Sequence, residues 1–202
     1  MAQRDSDDEA IKYLTKDEVE RLFRVIPKRN VRDVLLFDLV YRYGLRRSEA
    51  SRLTLNDVRD DKIWIARRKH GRSNAYPLHP RTRALLARYL RERRSNDESP
   101  FLLRSRHSAS MGLSGGEINR LFRCYAAAAE LPADRRHVHA LRHSIGVHLA
   151  NAGWDVADVQ DWLGHRDIGS TLIYFRITNK RREARFRQTL RSREIARTDR
   201  QR

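Results

Sequence analysis

The sequence predicts an α+β protein that is predominantly α-helical and carries one small β-hairpin. Apolar residues recur at helical spacing through most of the 202 residues, and many of these stretches end at glycine or proline. The period changes to two around residues 63–65, and a second strand-like stretch at 75–78 follows a basic segment. The sequence shows no internal repeat and no clear linker, so we expect a single domain.

Three helices are predicted before the hairpin. Thr15 begins a capping box, and the apolar stripe that follows it ends at Pro27. The second helix continues to Gly44, which is a natural C-terminal stop. Ser48 can cap a short third helix that runs through Leu53.

The remaining elements are predicted from the same signals. In chain order they are a helix from Pro80, a short strand at 101–103, a helix that stops before Pro132, a helix over 139–152, a helix between Asp155 and Gly164, and a segment capped by Ser170. The residues after Asn179 form a basic helix candidate with two apolar anchors, Phe186 and Leu190.

The charge balance points to a polyanionic partner. Lys and Arg number 43 against 26 Asp and Glu, which gives a net charge of +17, and such an excess favours nucleic acid as the partner.

The single cysteine, Cys124, excludes an intramolecular disulfide and a Cys-rich zinc site, and we expect it to be buried on a helix. Neither a membrane-spanning stretch nor an apolar signal core is found, so we expect a cytoplasmic, nucleoid-associated protein.

Five residues have the side chains that metal-free cleavage of a phosphodiester needs. Such a reaction requires a nucleophile, cationic donors for the non-bridging oxygens and a proton for the leaving oxygen. Arginine binds phosphate oxygens bidentately and keeps its charge. GLRRSE contains Arg46, HALRHS contains His139 and Arg142, and WLGHRDIGSTLIY contains His165 and Tyr174 nine residues apart.

Each of these residues has an ordinary explanation when it is considered alone. A His–Arg pair on a basic helix is usually solvated, a histidine after a helix often meets the helix dipole, and a tyrosine is often half-buried. GLRRSE also fits a helix-turn-helix with Arg47 on the recognition helix. A non-catalytic DNA-binding regulator is therefore an alternative function.

Together, in this order and at these separations, the three motifs resemble those of the tyrosine recombinase (phage integrase) family. The resemblance extends from about Tyr13 to Asn179. It implies the catalytic-domain fold of that family and a DNA strand transferase that needs no metal, no ATP and no other cofactor. The short chain is similar in size to the invertases that flip fimbrial promoter switches.

The resemblance implies a role for each residue. Arg46 and Arg142 would clamp the scissile phosphate, and His165 would donate a hydrogen bond to a non-bridging oxygen. His139 would act in general acid/base work on the tyrosine proton. Tyr174 would attack phosphorus to form a 3′-phosphotyrosyl link and release a 5′-hydroxyl.

The family also places a lysine in the hairpin loop, where it protonates the leaving oxygen. Counting back from YPL, Lys69 falls at that position, although His70 stands where a glycine is usual. Glu49 is expected to orient Arg46 or to cap a helix. Contacts with the DNA backbone are expected from four arginines: Arg47, Arg67, Arg68 and Arg72.

The resemblance divides the chain into three parts. These are an acidic tail at 1–12, the catalytic domain at 13–179, and a basic tail at 180–202 that is either exchanged between protomers or adds only non-specific DNA affinity. The implied partners are double-stranded DNA and, on DNA, three further copies of the chain, with a monomer when free and no membrane.

Many members carry a separate N-terminal DNA-binding domain, so the chain is either a catalytic fragment or a minimal recombinase. A type IB topoisomerase, which uses much the same residues as a monomer, is the other alternative.

Overall fold

The computed structural model describes residues 11–67, 74–93, 99–105, 111–176 and 186–187. These residues form α-helices and one small antiparallel sheet, which confirms the predicted fold class. The helices are α1 Lys16–Val25, α2 Val31–Arg42, α3 Arg47–Ala50, α4 Pro80–Glu92, α5 Gly115–Ala128, α6 Val138–Asn151, α7 Val156–Leu163 and α8 at 169–176. The strands are β1 Val58–Arg59, β2 Lys62–Ile65 and β3 Asn74–Pro77, in the order β1-β2-β3.

Several helix ends lie where the sequence signals predict them. The Thr15 hydroxyl accepts the N–H of Glu18, and the Glu18 carboxylate accepts the N–H of Thr15, so the capping box is formed. Gly44 and Gly164 follow α2 and α7 with φ of 57° and 60°, a conformation that favours glycine.

Two predicted caps are wrong. Ser48 does not begin α3, because Arg46 is the N-cap residue and the Glu49 carboxylate accepts its N–H. The helix also ends at Ala50, before Leu53. Ser170 does not cap α8 with its hydroxyl, since its own N–H donates to the Asp167 carboxylate at 3.1 Å.

The predicted hairpin is present. Ile63 pairs with Tyr76, and Ile65 with Asn74, in an antiparallel register that points Ile63 and Ile65 into the core. Strand β1 was not predicted, because two residues are too few to show a period. The short strand expected at 101–103 is reduced to isolated bridges, from Phe101 to Thr54 and from Arg104 to Gly112.

Two helices occupy the centre of the molecule. Helix α2 packs against α3, α4 and α6, and α6 also packs against α5 and α7. Most residues of α2 and α6 are buried, as expected for helices surrounded by other elements. The C-terminal ends of α2 and α7 meet the N-terminal half of α6, where Arg142 donates to the carbonyls of Gly44 and Leu163.

Two further observations concern the surface. Cys124 is exposed on α5, so the expectation that it is a buried apolar residue is wrong. None of the helices in the described part of the chain is long and apolar enough to span a membrane.

Candidate active site

Arg46 lies at the turn between α2 and α3. Its guanidinium donates to Glu49 Oε1 at 2.8 Å, and its backbone N–H donates to Oε2 at 2.8 Å. The Arg46 side chain is 37% exposed, so it is held in position and still reachable from solvent. The prediction that Glu49 orients Arg46 is confirmed.

Arg142 lies on α6, and its side chain is only 2% exposed. It donates to the backbone carbonyls of Gly44 and Leu163, the latter at 2.8 Å, and so links the C-terminal ends of α2 and α7. Burial, followed by repulsion from Arg46 and Arg67, lowers the pKa of Arg142 to about 9. The group therefore keeps its charge at neutral pH.

Arg67 does not occupy the position predicted for it. Its guanidinium is fully buried and donates to Glu49 Oε2 at 2.6 Å, to the carbonyls of Tyr43 and Trp162 at 3.0 Å, and to the Tyr76 hydroxyl at 3.1 Å. A buried guanidinium surrounded by internal acceptors cannot also lie on the DNA backbone. The prediction that Arg67 contacts DNA is therefore wrong, and the residue instead joins the end of β2 to α2 and α7.

Glu49 is the acceptor that these arginines share. Burial opposes its ionisation, but Arg67, the backbone N–H of Arg46, Arg142 and the Arg46 side chain outweigh burial and hold the Glu49 pKa below its usual value. Three cations stand around one carboxylate, so the cluster has an excess of positive charge. Such an excess suits a bound phosphodiester.

Two histidines of α6 lie one turn apart beside this cluster. The rings of His139 and His143 are 4.3 Å apart between centroids. Desolvation, followed by Arg142, lowers the pKa of His139 to about 4, although part of the residue reaches the surface. Desolvation, followed by His139 and Arg142, lowers the pKa of His143 to about 3. Both rings are therefore neutral at physiological pH.

His165 follows Gly164 at the end of α7. Its Nδ1 lies 2.9 Å from the Thr171 hydroxyl, and its ring stacks on that of Tyr174 with 6.1 Å between centroids. Burial, followed by Arg142 and Arg46, lowers the pKa of His165 to about 3.

Tyr174 is buried, with 1% of its surface exposed. Its hydroxyl lies 3.0 Å from Nδ1 of His143. Its ring lies over Gly146, where an added Cβ would come within 2.7 Å of ring atoms. Burial raises the pKa of Tyr174 to about 12, although Arg142 and Arg46 act in the opposite direction. The phenol is therefore protonated in this structure.

The described residues thus bring five of the predicted site residues together: Arg46, His139, Arg142, His165 and Tyr174. Lys69, Arg68 and Arg72 lie outside the described residues. Arg47 is exposed at the start of α3. Within the described part of the chain, no group of three or more His, Cys, Asp or Glu side chains could hold a metal ion.

Sequence reasoning missed three residues of this region, His143, Gly146 and Thr171, and it placed a fourth, Arg67, on the DNA backbone instead of in the interior. His143 and Gly146 lie in and just after HALRHS, and the helical spacing of His139 and His143 could have placed both on one face. The burial of Arg67 gave no signal in the sequence, because one arginine in a basic segment looks like its neighbours. Thr171 is recognisable only through its contact with His165.

Comparison with known proteins places this geometry in a family. The model of the phage integrase family matches residues 12–181. Tyrosine recombinase XerA of Pyrococcus furiosus is 35% identical over 172 residues, which cover 84% of this chain and 58% of XerA. The type 1 fimbriae regulatory protein FimE of Escherichia coli K12 is 33% identical over 170 residues, which cover 81% of this chain and 84% of FimE.

Solved structures show the same fold. The crystal structure of XerA recombinase matches with a TM-score of 0.72 and 24% identity, over 80% of this chain and 59% of that one. The XerH recombinase in a post-cleavage complex with its DNA substrate matches with a TM-score of 0.76 and 22% identity, over 90% of this chain and 54% of that one. The chain spans about three fifths of the length of XerA, and it belongs to the phage integrase family of tyrosine recombinases.

Proposed function

We propose that this chain is a site-specific DNA recombinase that cuts and rejoins DNA through a covalent 3′-phosphotyrosyl intermediate. One observation carries the proposal: Arg46, Arg142, His165 and Tyr174 come from four separate elements and converge on one cluster. These residue types are the phosphate clamp and the nucleophile of that chemistry.

The clamp would act on the non-bridging oxygens of the scissile phosphate. Arg46 is exposed enough to meet the phosphate first, and Arg142 supplies a second charge from a rigid position. Negative charge grows on these oxygens as the nucleophile attacks, so fixed cations lower the barrier. His165, neutral and held by Thr171, would donate a hydrogen bond to the same group.

Tyr174 would attack phosphorus and displace the 5′ oxygen. The 3′-phosphotyrosyl bond retains the energy of the broken bond, so rejoining to another 5′-hydroxyl needs no ATP. Lys69 remains our proposal for the acid that protonates the 5′ oxygen, and His139 for general acid/base assistance. Because Tyr174 is 1% exposed, the phenol must become accessible when DNA binds.

The proposed partners are double-stranded DNA and other copies of the chain assembled on it, as a tetramer. The net charge of +17 and the relatives solved in complex with DNA support this part of the proposal. The similarity to FimE over most of its length supports a small recombinase of the fimbrial-invertase type. Such an enzyme would act in the cytoplasm, on the nucleoid.

The test is covalent trapping on nicked suicide duplexes drawn from the genomic DNA that flanks the gene. We expect an SDS-resistant complex with the wild-type chain and none with Tyr174→Phe, while DNA affinity measured by gel shift changes little. A large loss of affinity in Tyr174→Phe would show that the tyrosine is structural. Absence of any complex with the wild type, despite tight specific binding, would favour the DNA-binding regulator.

A type IB topoisomerase is the remaining alternative, because it would use the same clamp and nucleophile as a monomer. Supercoiled plasmids separate the two functions. Relaxation of plasmids of any sequence without recombination products would indicate a topoisomerase. Recombinant products that require two copies of one site would support the recombinase.

A further inference from the structure

The hydroxyl of the proposed nucleophile already has a hydrogen-bond partner, and that partner is His143. Nδ1 of His143 lies 3.0 Å from Tyr174 Oη, and the two rings are 5.8 Å apart at 58°. His143 is the residue directly after Arg142, so the same helical turn carries the phosphate clamp and the partner of the phenol.

The surroundings fix this pair. Gly146, one turn further along α6, leaves room for the Tyr174 ring. The ring of His165 stacks on the Tyr174 ring, with 6.1 Å between the centroids. Tyr174 itself is 1% exposed, so water does not compete for its hydroxyl. Such a confined pair has little orientational freedom until DNA binding makes the phenol accessible.

From this geometry we infer that His143 is a catalytic residue that takes the phenolic proton of Tyr174 as the phenol attacks DNA. The inference rests on the proposed function and extends it to a residue outside the five that the sequence motifs indicated. It separates the tyrosine proton from His139, whose exposed position beside His143 leaves it to meet the phosphate.

The proton and electron balance is simple. The bond between Tyr174 Oη and phosphorus forms while the bond from phosphorus to the 5′ oxygen breaks. The phenolic proton passes to Nδ1 of neutral His143, and the 5′ oxygen leaves with its electron pair and is protonated by water or by the general acid. Rejoining reverses each step, so protonated His143 returns its proton to the departing phenol.

Bound DNA makes His143 a better base than it is in the empty site. Burial and the neighbouring His139, Arg142 and His137, all on or next to α6, now disfavour its protonation. A phosphodiester on Arg46 and Arg142 adds negative charge beside these groups, and that charge increases in the transition state. Added negative charge favours the protonated imidazole.

The decisive variant is His143→Asn. The Asn amide can still accept a hydrogen bond near the position of Nδ1, but it cannot take the proton. We expect single-turnover cleavage of a nicked suicide duplex to slow by about 10²–10⁴-fold, the range of general base catalysis. DNA affinity should stay within about threefold of wild type, since the variant keeps the phosphate clamp.

Two readouts distinguish proton transfer from a structural role. In His143→Asn the phenol must lose its proton to solvent, so the cleavage rate should rise about tenfold per pH unit between pH 7 and 9, and wild type should rise less. Replacing Tyr174 by a fluorinated tyrosine, whose phenol is more acidic, should restore much of the cleavage rate of His143→Asn. The same replacement in the chain that retains His143 should leave the cleavage rate nearly unchanged.

The chain supplies a matched control on the same helix. His148 Nδ1 lies 2.8 Å from the Tyr41 hydroxyl, with rings 5.8 Å apart, in a histidine–tyrosine pair that the proposed chemistry does not use. His148→Asn should cleave at the wild-type rate with the wild-type pH profile. Its thermal unfolding shows what losing such a pair does to stability alone.

The outcomes are separable. Wild-type cleavage by His143→Asn, or a defect that neither high pH nor fluorotyrosine relieves, would overturn the role of His143 while the recombinase function stands. Failure of the wild-type enzyme to form any covalent complex would overturn the function itself.

Discussion

Glu49 is the carboxylate around which the three arginines of the site are arranged. Its two oxygens accept from Arg46 and Arg67, and Arg142 Nη1 lies 3.9 Å away. The three arginines differ in burial, with Arg46 open, and Arg67 and Arg142 enclosed. They should therefore differ in how much each contributes to stability.

Arg46→Ala and Arg142→Ala should separate these contributions. Both should slow single-turnover cleavage by about 10²–10³-fold, comparable to the loss of one oxyanion-hole donor. Only Arg142→Ala should also lower the free energy of unfolding strongly. The buried carbonyl of Leu163 loses its Arg142 donor, at a cost of about 1–3 kcal/mol for an unsatisfied group, and the carbonyl of Gly44 keeps only the longer contact of 3.5 Å from Arg67. Urea unfolding measures the second effect, and equal destabilisation by both variants would contradict this assignment.

At the scale of elements, the site depends on how closely α8 approaches α6. At position 146 the Tyr174 ring lies so close to the α6 backbone that a side chain does not fit, since a Cβ there would come within 2.7 Å of the ring. Glycine lowers the stability of α6 at this position because of its low helix propensity, but it leaves the space that the Tyr174 ring occupies.

Gly146→Ala should move Tyr174 away from His143. We expect a loss of about 1–3 kcal/mol of stability from overpacking and a large decrease in covalent trapping. Gly116→Ala on α5 is the control, because its Cβ would meet no atom closer than 3.8 Å. The control should be neutral or stabilising by up to about 1 kcal/mol in urea unfolding. Equal stability of the two variants would show that α8 does not depend on this close approach.

At the scale of the whole molecule, the net charge of +17 should govern affinity for DNA. Each phosphate contact adds about 0.9 to the magnitude of the slope of log affinity against log salt concentration. Arg47 is exposed beside Arg46, so we expect Arg47→Gln to lower that slope by about one unit. Fluorescence anisotropy over a salt series measures it.

Arg83→Gln removes the same charge from a different position and is the control. Arg83 is exposed on α4 and paired with Asp61, so its loss should change the slope less. An identical decrease for both variants would mean that total charge, and not a contact at Arg47, sets the affinity.

Much of the fold was predictable from local signals. The capping box at Thr15, the glycines that end α2 and α7, and the alternation that gives Ile63 and Ile65 an inward face all act within a few residues. The errors in helix capping were also local. At the start of α3 a longer acidic side chain took the place of the expected hydroxyl cap, because Glu49 could serve the N–H of Arg46.

The sequence by itself determined the residue types of the site, their order, and the glycine stops of α2 and α7 beside which Arg46 and His165 lie. Only the tertiary structure decided that Arg67 is buried, that Glu49 collects the arginines, and that Tyr174 meets His143. The physical reason is that these contacts join residues far apart in the chain: Arg142 reaches Gly44 across 98 positions, and His143 reaches Tyr174 across 31. Local propensity sets where a helix begins and ends, whereas packing between helices selects which of several similar arginines reach Glu49 and which histidine reaches the phenol.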